Sequence, residues 1–324
     1  MNKKLEHYVR RYSWWQMGII AVVLIITAAV LVDVSRGGDD AGSREHARGA
    51  AGSGGHDEHG GHDGRGGHYG HEESDGELGA GPDPGTASRA ELGLRELPAG
   101  GTYSANGSGE FRPVGTPGQE VGHGAEKTIR YTVEVEEGLD TVPYGGDDAI
   151  ARMVDATLAD PRGWTYDPAF KFVHVGPEED PDTRILLASV TTTADMCGVD
   201  LELETSCHTT ITGGSTVLLN ESRWVRGAAP FQGDLGAYRQ YLINHEVGHA
   251  IGYPHHQACT GEGNLAPVMM QQTISLQNSE LFQLNPEEVY PDNPDTCRPN
   301  PWPYPRPLPD GAALDALHEP EKET

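Results

Sequence analysis

Apolar positions are unevenly spread along the 324 residues. The first concentration is the run Met17 to Val32, apolar apart from Thr27, which Trp14 and Trp15 extend at one end. Residues 14–32 make 19 in all, enough to cross a bilayer core as a helix. From 33 to 126 no hydrophobic period is sustained. Gly, Ser, Asp and His dominate there, and such a segment cannot bury enough apolar area to offset its ordering entropy, so a disordered linker is expected. Period returns at Lys127. Thr128 to Glu134 alternates and predicts a strand, and Asp147 to Leu158 has apolar residues at helical spacing between Gly145-Gly146 and Pro161. Phe170 to Val175, Ile185 to Thr191 and Thr216 to Asn220 predict further strands. Asp234 predicts the N-cap of a helix that runs to about Gly252. Beyond it the chain is loop-rich, and past Pro299 it is Pro-rich, with Trp302 and Tyr304 expected to pack back as extended chain. This order predicts an α+β domain over 127–306, strand-rich at first, with the functional helix late, followed by a disordered acidic tail at 307–324.

Charge orients the first segment. Lys3, Lys4, Arg10 and Arg11 precede the apolar run and Asp33, Asp39 and Asp40 follow it. The positive-inside rule puts 1–13 in the cytoplasm, makes 14–32 a transmembrane signal anchor, and places the rest outside the cell membrane. The alternative is a cleaved signal peptide and a secreted chain, although the small residues Thr27, Ala28 and Ala29 lie inside the run and not beyond it. Composition adds 49 acidic residues against 23 basic ones, a formal net charge of -26, which argues against a nucleic-acid partner. Within the linker, His56, His59, His62, His68 and His71 form a His-rich stretch, read chiefly as polar linker and secondarily as loose capture of a transition metal. Four cysteines in an exported chain predict disulfides. Of the three possible pairings, Cys197 with Cys207 and Cys259 with Cys297 is expected, since the first pair encloses a short loop and the second clamps the segment between.

Residues 245 to 255 read HEVGHAIGYPH. His245 and His249 are one helical turn apart on one face, where a single Zn²⁺ can bridge both imidazoles. Glu246 lies beside them without being a ligand, placed to act as general base on the water there. Gly252 can take a positive φ and end the helix, and Pro254 prevents its continuation, so the chain turns and brings His255 back towards the metal. Three neutral imidazoles leave one tetrahedral position open, as in a catalytic zinc site. His256 directly follows His255 and competes for the third place.

The segment resembles the elongated H-E-x-x-H-x-x-G-x-x-H motif of the metzincin metallopeptidases. That resemblance implies a metzincin-like zinc peptidase domain with His245, His249 and His255 as ligands, Glu246 as general base and Gly252 as the structural turn. It also implies a Met-turn, assigned in APVMMQQT to Met269 first and Met270 second. Where the family often has a Tyr after that Met, this chain has Met270 and Gln271, so no residue is assigned to the oxyanion. The resemblance further implies an edge strand that pairs with extended substrate, either Thr216 to Asn220 or Ile185 to Thr191. Over roughly residues 130–305 the chain is also similar to an actinobacterial family of exported proteins whose domain has no assigned function. The expected activity is hydrolysis of peptide bonds in a protein or peptide, including cell-wall peptide, by water activated through zinc and Glu246. The alternative is a catalytically silent, zinc-containing binding protein of the cell envelope.

Overall fold

A computed structural model describes residues 92–94, 96–198 and 206–307, all within the unit Gly81–Thr324. The N-terminal basic segment 1–13, the apolar run 14–32, the His-rich stretch and the tail from 308 onward lie outside the described residues. Among the described residues no helix is long and apolar enough to cross a membrane.

The domain is α+β. Its centre is β3 (Lys127–Glu136), buried over most of its length because both faces of the sheet are covered there. Around it stand β4 (Phe170–His174), β5 (Thr183–Ala188) and β7 (Ser215–Asn220), all parallel, in the order β4-β3-β5-β7. Antiparallel strands close both sides: β2 (Glu120–Gly122) on β4 and β6 (Cys207–Thr209) on β7. A further short strand, β1 (Phe111–Pro113), pairs antiparallel with the far end of β3, opposite Glu134 to Glu136. β1 and β2 fall inside the segment 33–126 that was expected to be linker. The folded domain therefore begins earlier than expected, because strands of three residues carry no readable period yet complete the sheet.

Five α-helices occur among the described residues: α1 (Asp147–Ala159), α2 (Val190–Cys197), α3 (Glu221–Arg226), α4 (Leu235–Ile251) and α5 (Asn278–Leu284). In α1 the buried residues Ile150, Ala151, Val154, Thr157 and Leu158 recur at helical spacing and form one stripe against β3 and α4. The strand expected over Ile185 to Thr191 ends at Ala188. Ser189 takes over as N-cap of α2, its hydroxyl accepting the Thr192 N–H at 3.4 Å, and this local cap outweighs the β-propensity of the following Val-Thr-Thr-Thr.

The principal core lies between the sheet and helices α1 and α4, and draws in Trp164, Phe231, Val268 and Met269. A second core, of Cys259, Ala266, Met270, Ile274, Leu281, Tyr290 and Cys297, underlies the loop-rich part after α4. Both expected disulfides are present. Cys197–Cys207 ties the end of α2 to β6, and Cys259–Cys297 closes the second core. The Pro-rich end packs back as expected: Trp302 is buried with the Arg162 guanidinium 4.1 Å from its ring centroid, and the Tyr304 ring lies 4.9 Å from that of Tyr166.

Candidate metal centre

Helix α4 positions the site, and its two ends are fixed locally. At the start, the Asp234 carboxylate accepts the Ala237 N–H at 2.9 Å. At the end, Gly252 sits at φ 128°. Its N–H donates to His249 O at 3.3 Å, and the Tyr253 N–H reaches back to Gly248 O at 3.0 Å. This is the Schellman arrangement, which needs a residue free of the Cβ penalty at the turn. Between the ends, Tyr238, Tyr241, Leu242, Ile243 and Val247 bury the helix in the core, so His245 and Glu246 are buried as well.

His245 and His249 stand one turn apart with ring centroids 4.9 Å from each other and planes perpendicular. The third imidazole is that of His256, 5.5 Å from His245 and 5.3 Å from His249 by ring centroids. One ring nitrogen of each lies within 4.8 Å of those of the other two, so this group could hold a metal ion. His255, expected as the third ligand, is exposed and is not part of the group. The reason is register. The Gln257 N–H donates to Met269 O at 3.1 Å and the Cys259 N–H to Asn278 Oδ1 at 2.9 Å, and Cys259 is tied to Cys297. These contacts, all distant in sequence, set the segment after Pro254 so that His256 faces the helix.

Each imidazole has its Nδ1 engaged. His245 Nδ1 lies 2.8 Å from Val268 O, and His249 Nδ1 lies 2.8 Å from Tyr253 O. A carbonyl only accepts, so these Nδ1 atoms carry the proton and the Nε2 lone pairs are left for a metal. His256 Nδ1 lies 3.3 Å from the Glu288 carboxylate, which leaves its Nε2 in the same way. Burial, with neighbouring His249 and His256, holds His245 well below the ordinary histidine range, and burial first and His256 second lower His249 to about 4. Both are neutral near pH 7, the form that ligates.

Glu246 is 4 % exposed, and burial pushes its carboxyl up to about 8, opposed by a hydrogen bond from the backbone N–H of His208. That contact comes from β6, against which α4 packs. The His208 ring itself bonds Ser215 Oγ at 3.0 Å through Nε2 and is outside the imidazole group.

Below the helix, Met269 approaches Gly248 so closely that a Cβ there would meet its Sδ at 2.5 Å. Pro267 to Met270 form a turn closed by the Met270 N–H on Pro267 O at 2.9 Å, and this turn presents Val268 O to His245. Met270 points into the second core instead. Tyr241 is buried behind His245, its hydroxyl donating to Met270 O at 2.9 Å and accepting the Gln272 N–H at 3.0 Å. The Tyr253 ring stacks on Trp164 at 4.8 Å, which commits it to that contact. β5 and β7, the two strands expected to meet substrate, are each paired on both sides, whereas β6 has one side unpaired among the described residues.

The residues that sequence reasoning missed are thus His256 as the preferred third imidazole, its partner Glu288, and β6 with His208. Only His256 left a sequence signal, its adjacency to His255; Glu288 lies 32 residues on.

No curated protein and no solved structure matches the chain. Residues 97–305 match the family described as "Protein of unknown function (DUF3152)". That match covers well over half of the chain and begins ahead of β1, in accord with the extent of the folded domain, and the chain therefore belongs to the DUF3152 family.

Proposed function

We propose that this protein is a zinc-dependent metallopeptidase, anchored by residues 14–32 with its domain outside the membrane. The observation that carries the reading is the convergence of three imidazoles, each with Nδ1 engaged, beside a buried carboxylate on the same helix. The donor set fits the ion: three imidazole nitrogens suit zinc, and three protein ligands are the number found in catalytic zinc sites. When bound, zinc supplies a Lewis acid that polarises a carbonyl and acidifies water. Glu246 accepts the proton of the attacking water and passes it to the leaving amine. Glu246 follows His245 directly on α4 and is not one of the grouped imidazole ligands, which supports its role as base and not as ligand. The side of β6 that is unpaired among the described residues supports an extended peptide as substrate, bound by strand addition. The likeness to metzincins belongs to this reading with two departures: His256 stands one residue beyond the position of the motif, and no Tyr follows Met269.

The test is cleavage of casein and a peptide library by the zinc-loaded full chain in detergent, beside Glu246→Ala. The variant keeps its zinc and loses about 10²–10⁴-fold in rate. Cell-wall stem peptides are assayed alongside, and zinc in both proteins with cleavage of no substrate by either would favour a silent zinc-binding protein of the cell envelope and end the peptidase reading.

A further inference from the structure

We propose that Glu288 is a positioning residue of this centre, fixing His256 as the third ligand and setting the strength with which the metal is held. The inference rests on the reading of His245, His249 and His256 as metal ligands.

The three imidazoles are not equivalent. His245 and His249 are carried by α4, and their Nδ1 partners are backbone carbonyls supplied by the Pro267–Met270 turn and by the helix end. His256 belongs to no helix or strand. A ligand on irregular chain has more freedom to lose on ligation. Its partner is the one carboxylate among the three, Glu288 Oε2, at 3.3 Å. A carboxylate accepts a charge-assisted hydrogen bond from a ligating imidazole, which orients the ring and raises the donor strength of the other nitrogen.

The surroundings hold the pair together from both sides. Beyond His256 the chain is fixed by Gln257 on Met269 O and by Cys259. Glu288 sits on the segment after α5, where its N–H donates to Asn285 O at 3.2 Å and the Tyr290 hydroxyl accepts the Gln271 N–H at 3.1 Å. Val289 between them is 53 % exposed while Tyr290 is buried and stacks 6.4 Å from His256, so the chain alternates and turns Glu288 to the imidazole side. Cys259–Cys297 joins the segment that carries the ligand to the one that follows its partner.

The experiment measures zinc affinity of the full chain by competition with a chromogenic chelator, together with the visible spectrum of the cobalt(II)-substituted protein. Wild type, Glu288→Ala, Glu288→Gln and the adjacent exposed Glu287→Ala are compared, and unfolding of each metal-free protein is followed alongside. Glu288→Ala binds zinc about ten- to a hundredfold more weakly, with one ion per chain at saturation and altered cobalt bands. Glu288→Gln, whose amide oxygen still accepts from Nδ1, falls between, and decides the matter if the alanine variant does not fold. Glu287→Ala matches wild type. Equal zinc affinity in wild type and the Glu288 variants, or an equal loss in Glu287→Ala, overturns the inference alone. A wild-type chain that binds no zinc overturns the metal reading, and this inference with it.

Discussion

Gly248 lies between the two helical histidines, where α4 comes close to the turn beneath it. A Cβ at this position meets Met269 Sδ at 2.5 Å and Trp164 Cζ2 at 2.8 Å. The Met side chain can give way, but Trp164 is stacked on Tyr253 and its indole N–H donates to Asn244 O at 2.9 Å. Gly248→Ala therefore overpacks the site, at a cost of about 1–3 kcal/mol. It also displaces the turn whose Val268 carbonyl holds His245. Gly236 lies in the same helix with only an Asp234 oxygen, at 3.5 Å, near its added Cβ. There the gain in helix propensity is unopposed, and Gly236→Ala is neutral or up to about 1 kcal/mol stabilising. Denaturant unfolding of the two metal-free variants checks the opposite signs. If Gly248→Ala is as stable as wild type, the close approach is not a packing constraint.

Helix α4 was legible in the sequence because its signals are local: an Asp that caps, a Gly that turns, two His on one face. The same holds for β3, α1, β4 and β7, each long enough to show its period. β1, β2 and β6 are three residues each, and their pairing depends on strands far along the chain, so no pattern announced them. α2 opens on β-branched residues and reads as strand until the Ser189 hydroxyl is known to face the Thr192 N–H. The third imidazole failed for a related reason. Counting from Gly252 assumes a fixed turn, whereas the register after Pro254 is set by Met269 and Asn278. Glu288 carries no signal, because nothing in its own neighbourhood of sequence refers to a histidine 32 residues earlier. The disulfides were legible because Cys197 and Cys207 enclose a short loop of ten residues' separation, which leaves Cys259 and Cys297 to clamp the segment between them.

At the scale of the molecule, the segment ahead of β3 is part of the domain and is held by buried carboxylates. Glu136 at the end of β3 accepts the Gly109 N–H at 2.7 Å, the Ser189 N–H at 2.7 Å and the Thr192 hydroxyl. Glu221 accepts the Ser104 N–H at 2.7 Å and the Tyr144 hydroxyl at 2.9 Å. Burial pushes the Glu136 carboxyl up, but the hydrogen bonds from Thr192, Ser189 and Gly109 outweigh it and hold it below the usual carboxylate range. A depressed folded-state value contributes stability that is full above the unfolded value, about 4.3, and is lost as pH falls through the folded one. Glu136→Gln thus destabilises the protein at pH 7 by about 1–3 kcal/mol, and the gap to wild type narrows as pH drops below about 4. Unfolding of both proteins across that range checks it; a gap independent of pH would refute the role of the charge. The same folded unit brings together the residues on which the functional account depends, and one measurement addresses that account most directly: the zinc content, by elemental analysis, of the purified full chain and of its His255→Ala and His256→Ala variants. The account predicts one zinc per chain in wild type and in His255→Ala, and loss of the ion in His256→Ala. A wild-type chain without zinc, or an ion lost with His255 and kept without His256, would contradict it.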